Sequence, residues 1–237
     1  KERFYKMKKN FLITTGGSGG HVTPATVLYE HLSNETNVII STDKRGLKYL
    51  DKDVYQFEII DTPKLDNIFY LPLNLFKILF LTFKSFFLLK KEKIEKVFST
   101  GGYMSLPLIF AARILKLNIY LVEPNHVLGR ANLYFLNFCK KIFCYTKNIK
   151  NFPKIHKSKM TVINPLVKKN IYDLNIINNN KTHFTLLIVG GSQGANIFDK
   201  NLKNSIVEIS KKFSIKVIHQ TNEKNISFLS DFYSKNN

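Results

Sequence analysis

The stretch Thr14-Thr15-Gly16-Gly17-Ser18-Gly19-Gly20-His21 decides the fold of this chain. It gathers four glycines into five positions, although glycine loses more backbone freedom on ordering than any other residue. Before it runs a short apolar segment, Phe11 to Thr15, that reads as a buried strand. After it, Val22 to Leu32 has helical spacing, with Pro24 suited to a helix's first turn. A strand that ends in glycines and opens into a helix sets free backbone N–H groups beside the positive end of the helix dipole, which is a place for phosphate. His21 stands at the start of that helix, at the carboxyl end of the strand, where open α/β sheets bind ligands. A helix N-terminus disfavours imidazolium, so His21 is a candidate proton acceptor. A tight turn without a ligand, and a histidine that only caps the helix, fit the same residues.

Two familiar nucleotide loops do not fit. A G-x-G-x-x-G fingerprint counted from Gly17 and Gly19 would need glycine where Val22 stands, although Asp43 is placed to mimic its ribose-binding acid. A Walker A loop would need a G-K-[ST] ending, which is missing.

The rest of the chain repeats the alternation. Strands are expected at Asn37 to Ser41, Val54 to Ile60, Glu95 to Ser99, Asn118 to Glu123 and Lys141 to Tyr145. Helices are expected at Leu75 to Lys91, Leu106 to Leu115 and Leu128 to Phe138. This order implies an α/β fold with a parallel sheet covered on both faces. The pattern dissolves from Val167 to His183, around Asn178-Asn179-Asn180. A second unit then opens like the first, with the strand Phe184 to Val189 running into Gly190-Gly191-Ser192-Gln193-Gly194-Ala195, and a further strand at Ile215 to His219. The expected organisation is a domain over 10–166, a linker over 167–183 and part of a second domain over 184–237.

Of the 237 residues, 44% are apolar and 22% charged, a globular balance rather than a disordered one. A formal net charge of +19 favours polyanions or anionic membrane surfaces, and equally fits a general bias toward Lys and Asn. The C-x4-C spacing of Cys139 and Cys144 fits no common zinc or redox motif, and two reduced, partly buried thiols are expected. No metal-ligand cluster is visible in the sequence. No secretory leader is read at the start, and the opening Lys1 fits a fragment.

Five stretches in order carry a resemblance: T-G-G-S-G-G-H-V-T-P-A (15–25), S-T-G-G-Y-M-S-L-P (99–107), E-P-N-H-V-L-G-R-A-N (123–132), I-N-P-L-V (163–167) and G-G-S-Q-G-A (190–195). Together they resemble the MurG family, the N-acetylglucosaminyltransferases that make lipid II from lipid I in peptidoglycan synthesis. The resemblance implies the two-domain GT-B fold, with a complete first Rossmann-like domain here and the beginning of a second. It implies inverting transfer of N-acetylglucosamine from UDP-GlcNAc to the C4 hydroxyl of the muramyl sugar. UDP-GlcNAc is then a substrate, and no cofactor is implied. His21 matches the family's loop histidine, a candidate general base. Ser18, Gly19, Gly20, Asn125 and Ser192 match donor-side positions. Gly101, Gly102 and Tyr103 match a second glycine loop that shapes the acceptor pocket, and Glu123, Asn132 and Asn164 match acceptor-side or structural positions. The chain departs from the pattern at Val122, Pro124 and Val167. At Val167 a donor-contacting arginine is replaced, and Lys168, beside it, lacks the bidentate fork. The family's uracil pocket lies past Asn237.

The apolar run from Ile68 to Lys93 is interrupted at Lys77 and Lys84, which with Lys91 recur every seven residues. This is the layout of an amphipathic interfacial helix, and also of an ordinary helix packed on a sheet. The resemblance favours peripheral attachment at the cytoplasmic membrane face, with lipid I, anionic lipid and other cell-wall enzymes as partners. Two other readings stand beside this one: a GT-B transferase with another acceptor, and a non-catalytic remnant that binds acceptor or membrane without turnover. A nucleic-acid partner would rest on charge alone.

Overall fold

The computed structural model describes residues 8–64, 68–172, 184–190 and 196–236. The chain divides into two compact units, residues 1–174 and 175–237.

The first unit is built on seven parallel strands: β1 (Asn10–Thr14), β2 (Asn37–Thr42), β3 (Phe57–Ile59), β4 (Ile94–Ser99), β5 (Asn118–Glu123), β6 (Lys141–Cys144) and β7 (Met160–Val162). Between them run α1 (Gly19–Leu32), α2 (Leu71–Lys91), α3 (Leu106–Ile114) and α4 (Arg130–Phe135), and α5 (Lys169–Tyr172) follows β7. The spatial order is β3-β2-β1-β4-β5-β6-β7. The chain thus winds outward one way from β1, then crosses back to pair β4 on its other side. The β1/β4 boundary is the switch point, and a crevice opens there at the carboxyl ends of the strands.

Strand alternation separates two cores. Leu12, Val97, Ile119, Leu121 and Ile142 point to one face, where Leu108 of α3 and Phe135 of α4 cover them. Phe11, Ile13, Val38 and Phe98 point to the other, where Ala25 of α1 packs. On that second face an aromatic row crosses four neighbouring strands. Phe98 stacks on Tyr120 with centroids 5.1 Å apart, and Tyr120 stacks on Phe143 at 6.0 Å. Phe11 closes on Phe98 at 5.8 Å. The two edge strands, β3 and β7, have three residues each, which leaves little open edge for another chain to pair with.

The boundaries move for local reasons. Helix α1 starts at Gly19, earlier than Val22, because extended Ser18 turns its carbonyl onto the N–H groups of His21 and Val22, each at 3.1 Å. Strand β3 starts at Phe57 rather than Val54, because the Asp51 carbonyl captures the N–H groups of Val54 and Tyr55 in a turn. Helix α4 is shorter than Leu128 to Phe138. Leu128 is drawn out of it by a backbone bond to the Lys150 carbonyl, 3.0 Å. Strand β7 had no sequence signal, being only Met160-Thr161-Val162.

Cys139 and Cys144 are buried and unbridged. Burial pushes both thiols up, and for Cys144 burial together with the Glu123 carboxylate pushes it to about 12. Both are therefore neutral, unreactive core groups.

Helix α2 has two faces. Ile78, Leu81, Thr82, Ser85 and Leu89 are buried, and α2 packs chiefly on α3. Leu73, Phe76, Phe80, Phe83 and Phe87 form a second apolar stripe on the outside, and the four phenylalanines are 61–70% exposed. Lys77, Lys84 and Lys91 are exposed too, and their seven-residue spacing runs them along one flank of that stripe. Length and composition alone would let α2 cross a membrane, but its inner face belongs to the core.

In the second unit β8 (Phe184–Ile188) pairs in parallel with β9 (Ile215–His219), accompanied by α6 (Asn196–Ser210) and α7 (Ile226–Lys235). Buried Asp199 joins these elements. It accepts from Thr221 Oγ1 at 2.5 Å and Asn225 Nδ2 at 2.7 Å, and His219 Nε2 lies 3.2 Å from its other oxygen.

Candidate active site

Two glycine turns meet at the switch point. Gly16 and Gly17 follow β1 with φ of 150° and 77°, and Gly101 and Gly102 follow β4 with φ of 92° and 87°. Side chains rarely adopt such backbones, so glycine is required by conformation alone. Contact adds to this at Gly101. A Cβ there would sit 3.3 Å from both Asn132 Nδ2 and His21 Cε1. Gly101 is thus the thin wall that lets α1 and α4 present His21 and Asn132 side by side.

The first turn is held by Asp43, just after β2 and almost wholly buried. Its Oδ1 accepts from the backbone N–H of Gly17 at 2.8 Å and of Gly46 at 2.9 Å. Its Oδ2 accepts from Arg45 Nε at 2.9 Å and Nη2 at 2.7 Å. Burial works to raise its pKa, but these donors and the guanidinium charge outweigh burial and hold it below the ordinary value. Both oxygens of Asp43 are therefore engaged in building the loop, which corrects its comparison with a ribose-binding acid. Arg45 continues to the second turn, where it bonds the Tyr103 hydroxyl and lies 5.2 Å from the ring centroid.

The third motif is organised by Glu123, at the end of β5 and buried. Its Oε1 accepts from Asn125 N (3.2 Å) and Nδ2 (3.0 Å), and its Oε2 from Gly129 N (2.8 Å) and Asn132 Nδ2 (3.0 Å). Four donors saturate one carboxylate. The loop keeps this clamp with Val122 and Pro124 in place: Val122 offers only its carbonyl, which accepts from Asn132 Nδ2 at 3.2 Å.

His21 is oriented by the backbone. Its Nδ1 lies 2.8 Å from the carbonyl oxygen of Thr100. A carbonyl only accepts, so Nδ1 carries the proton, and in the neutral ring Nε2 is left with a free lone pair. Thr100 is fixed in turn by its hydroxyl, which donates to Thr15 Oγ1 at 2.8 Å.

These groups border one cavity of about 790 Å³. His21, Gly101, Gly102, Tyr103, Glu123, Asn125 and Asn132 line its polar part, and Leu75 and Ile78 of α2 with Leu106 and Phe110 of α3 line its apolar part. Ser18 and Gly20 are exposed and Gly19 buried, and all three flank the cavity without lining it. The Ser18 hydroxyl does not cap α1, so the helix's positive end stays open to a ligand. Asn164 is exposed beyond β7 and away from the cavity, and Lys168 borders a separate hollow beside Tyr29 and Glu30. Ser192 lies outside the described residues. Thr100 and Arg130, which lie inside two of the quoted stretches without a role assigned to them, and Lys64, outside all five, border or orient the site. Among the described residues no three His, Cys, Asp or Glu side chains gather to hold a metal ion.

Residues 11–144 match the glycosyltransferase family 28 N-terminal domain. The chain is 47% identical over 232 residues to a UDP-N-acetylglucosamine–N-acetylmuramyl-(pentapeptide) pyrophosphoryl-undecaprenol N-acetylglucosamine transferase of Pelagibacter ubique, covering 98% of this chain and 65% of that protein. It is 36% identical over 239 residues to the Rickettsia canadensis protein of the same name, covering 97% and 66%. Among solved structures it is similar to Acinetobacter baumannii MurG, with a TM-score of 0.73 at 25% identity over 96% of this chain and 65% of that one. The chain thus spans about two thirds of the length of these relatives. The switch-point crevice, the paired glycine turns and the matched sequence agree on one assignment: this chain belongs to glycosyltransferase family 28.

Proposed function

We propose that this chain carries the acceptor side of an inverting transferase that moves N-acetylglucosamine from UDP-GlcNAc to the C4 hydroxyl of the muramyl sugar of lipid I, forming lipid II. The bond from His21 to the Thr100 carbonyl carries this reading. It leaves Nε2 as a proton acceptor at the polar part of a cavity whose other walls are apolar, as a lipid-linked sugar requires.

In the proposed step His21 Nε2 takes the C4 hydroxyl proton while the C4 oxygen attacks C1 of the donor sugar. The bond from C1 to the β-phosphate oxygen breaks, UDP leaves with the electron pair, and the α-linked donor yields a β-linked product. The open N-terminus of α1, with Gly19 and Gly20, lies where it would offset charge growing on the diphosphate. Tyr103, Asn125 and Asn132 would position the acceptor or the donor sugar, and Glu123 acts through the residues it clamps.

The membrane is the second proposed partner. The outward phenylalanines of α2 enter the bilayer interface and the lysine row meets anionic headgroups, giving peripheral attachment at the cytoplasmic face. Lipid I then reaches the cavity past Leu75 and Ile78 without leaving the membrane surface. Supplying UDP-GlcNAc and lipid I and determining the linkage of the product tests the reading. A β-1,4-linked disaccharide on the lipid is expected. Product on another acceptor, or an α-linkage, contradicts it.

A further inference from the structure

The cavity contains three groups to which the proposed step assigns no particular partner atom. Lys64 and Arg130 line it, and neither forms an ion pair among the described residues. The third is Asn132 Oδ1, a buried acceptor without a hydrogen-bond partner. The orientation of that amide is settled chemically. Its Nδ2 faces two acceptors, the Val122 carbonyl and Glu123 Oε2, so the oxygen must be the free end.

The backbone beside both exposed cations is anchored. The Lys64 carbonyl accepts from Asn74 Nδ2 at 2.9 Å, which ties it to the first turns of α2. Arg130 follows Gly129, whose N–H is locked onto Glu123 at 2.8 Å. Glu123 forms no ion pair with either cation among the described residues, and the four donors on its oxygens are backbone and amide N–H groups. A ligand completing this cavity must bring a hydrogen-bond donor for Asn132, negative charge for two cations, and hydrocarbon for Leu75 and Ile78. A sugar joined through a diphosphate to a prenyl chain has those three parts in sequence.

We propose that Lys64 and Arg130 form the subsite that grips the diphosphate of the prenyl-linked acceptor, with Asn132 Oδ1 taking a hydroxyl or amide N–H of its sugar. This rests on the acceptor reading above. It separates two diphosphates, because the open end of α1 and its glycine turn remain for the donor's. Arg130 offers a planar fork to two phosphate oxygens, and Lys64 a point charge.

The test is titration of the 237-residue chain with farnesyl diphosphate, farnesol and UDP, in the wild type and in Arg130→Gln, Lys64→Gln and the double variant. Arg130→Gln is expected to weaken farnesyl diphosphate about tenfold, Lys64→Gln about threefold, and Arg130→Lys to recover part of the loss. Farnesol and UDP should bind as before, and an unchanged urea midpoint excludes misfolding. Unaltered farnesyl diphosphate binding in the double variant overturns the proposal, as does a loss confined to UDP. In the transfer assay the same variants should raise the KM for lipid I with kcat and the KM for UDP-GlcNAc unchanged. Transfer with an unmoved lipid I KM would sink the subsite and leave the transferase reading standing. Charge-dependent farnesyl diphosphate binding without transfer would do the reverse.

Discussion

His21 Nδ1 lies 2.8 Å from the carbonyl oxygen of Thr100, so a main-chain group, beyond the reach of side-chain substitution, sets the tautomer of the candidate base. Long-range ¹H–¹⁵N spectra of the chain should show His21 as the Nδ1–H tautomer when neutral. An Nε2–H tautomer would remove the lone pair the proposed step needs.

Glu123 is expected to be the most costly single loss in the third motif. Glu123→Ala leaves four N–H donors, three on the asparagines that line the cavity and one on the turn before α4, without this acceptor. Unsatisfied buried donors cost about 1–3 kcal/mol each before relaxation, and water will recover part of that, so a loss of roughly 2–4 kcal/mol is expected in urea unfolding. A loss under about 0.5 kcal/mol would mean that the clamp does not form in solution.

Gly101→Ala combines two penalties. A side chain at φ 92° costs about 1–2 kcal/mol, and its Cβ would press on both Asn132 and His21. Transfer activity should fall further than stability, because the displaced ring is the one proposed to take the proton. Gly20→Ala is the control for stability, since a Cβ there meets only Ser18 Oγ at 3.7 Å.

Asp43 makes the first glycine turn pH-sensitive. Its folded pKa lies below the ordinary 3.8, so its contribution to stability is complete above that value. It is lost as pH falls below 3.8 through the folded pKa. Asp43→Asn should lower stability near neutral pH and flatten the pH dependence in that acidic window. A variant whose stability falls as steeply as the wild type's between about pH 4 and 2 would show that another carboxylate governs it.

Vesicle binding tests the outer face of α2. Lys77→Glu with Lys84→Glu should weaken binding to anionic vesicles by about tenfold or more, and moderate salt should do likewise. Phe76→Ser with Phe83→Ser should weaken binding to neutral and anionic vesicles alike. Unaffected binding in both pairs would end the membrane reading of this helix.

The alternation of strands and helices was legible because fully buried parallel strands such as Phe11 to Thr14 are continuous apolar runs closed by glycine. Three-residue β7 gave no run to read. His21, Gly101 and Asn132 were legible as motif positions, but their partners were not. The Thr100 carbonyl and the Asp43 and Glu123 clamps join segments from different strands and loops, and only tertiary pairing shows which acid serves which donor. The lysine row of α2 could be counted in the sequence. The outward turn of Phe76, Phe80, Phe83 and Phe87 could not, because a second apolar stripe looks like more core until the first has been packed.

The most direct measurement is transfer of labelled N-acetylglucosamine from UDP-GlcNAc to lipid I by the wild type and by His21→Ala. Lipid-linked product with the wild type, reduced by about 10²–10⁴-fold in a folded His21→Ala, is the predicted result. Wild-type rates in that variant would contradict the assignment of His21 and the mechanism built on it.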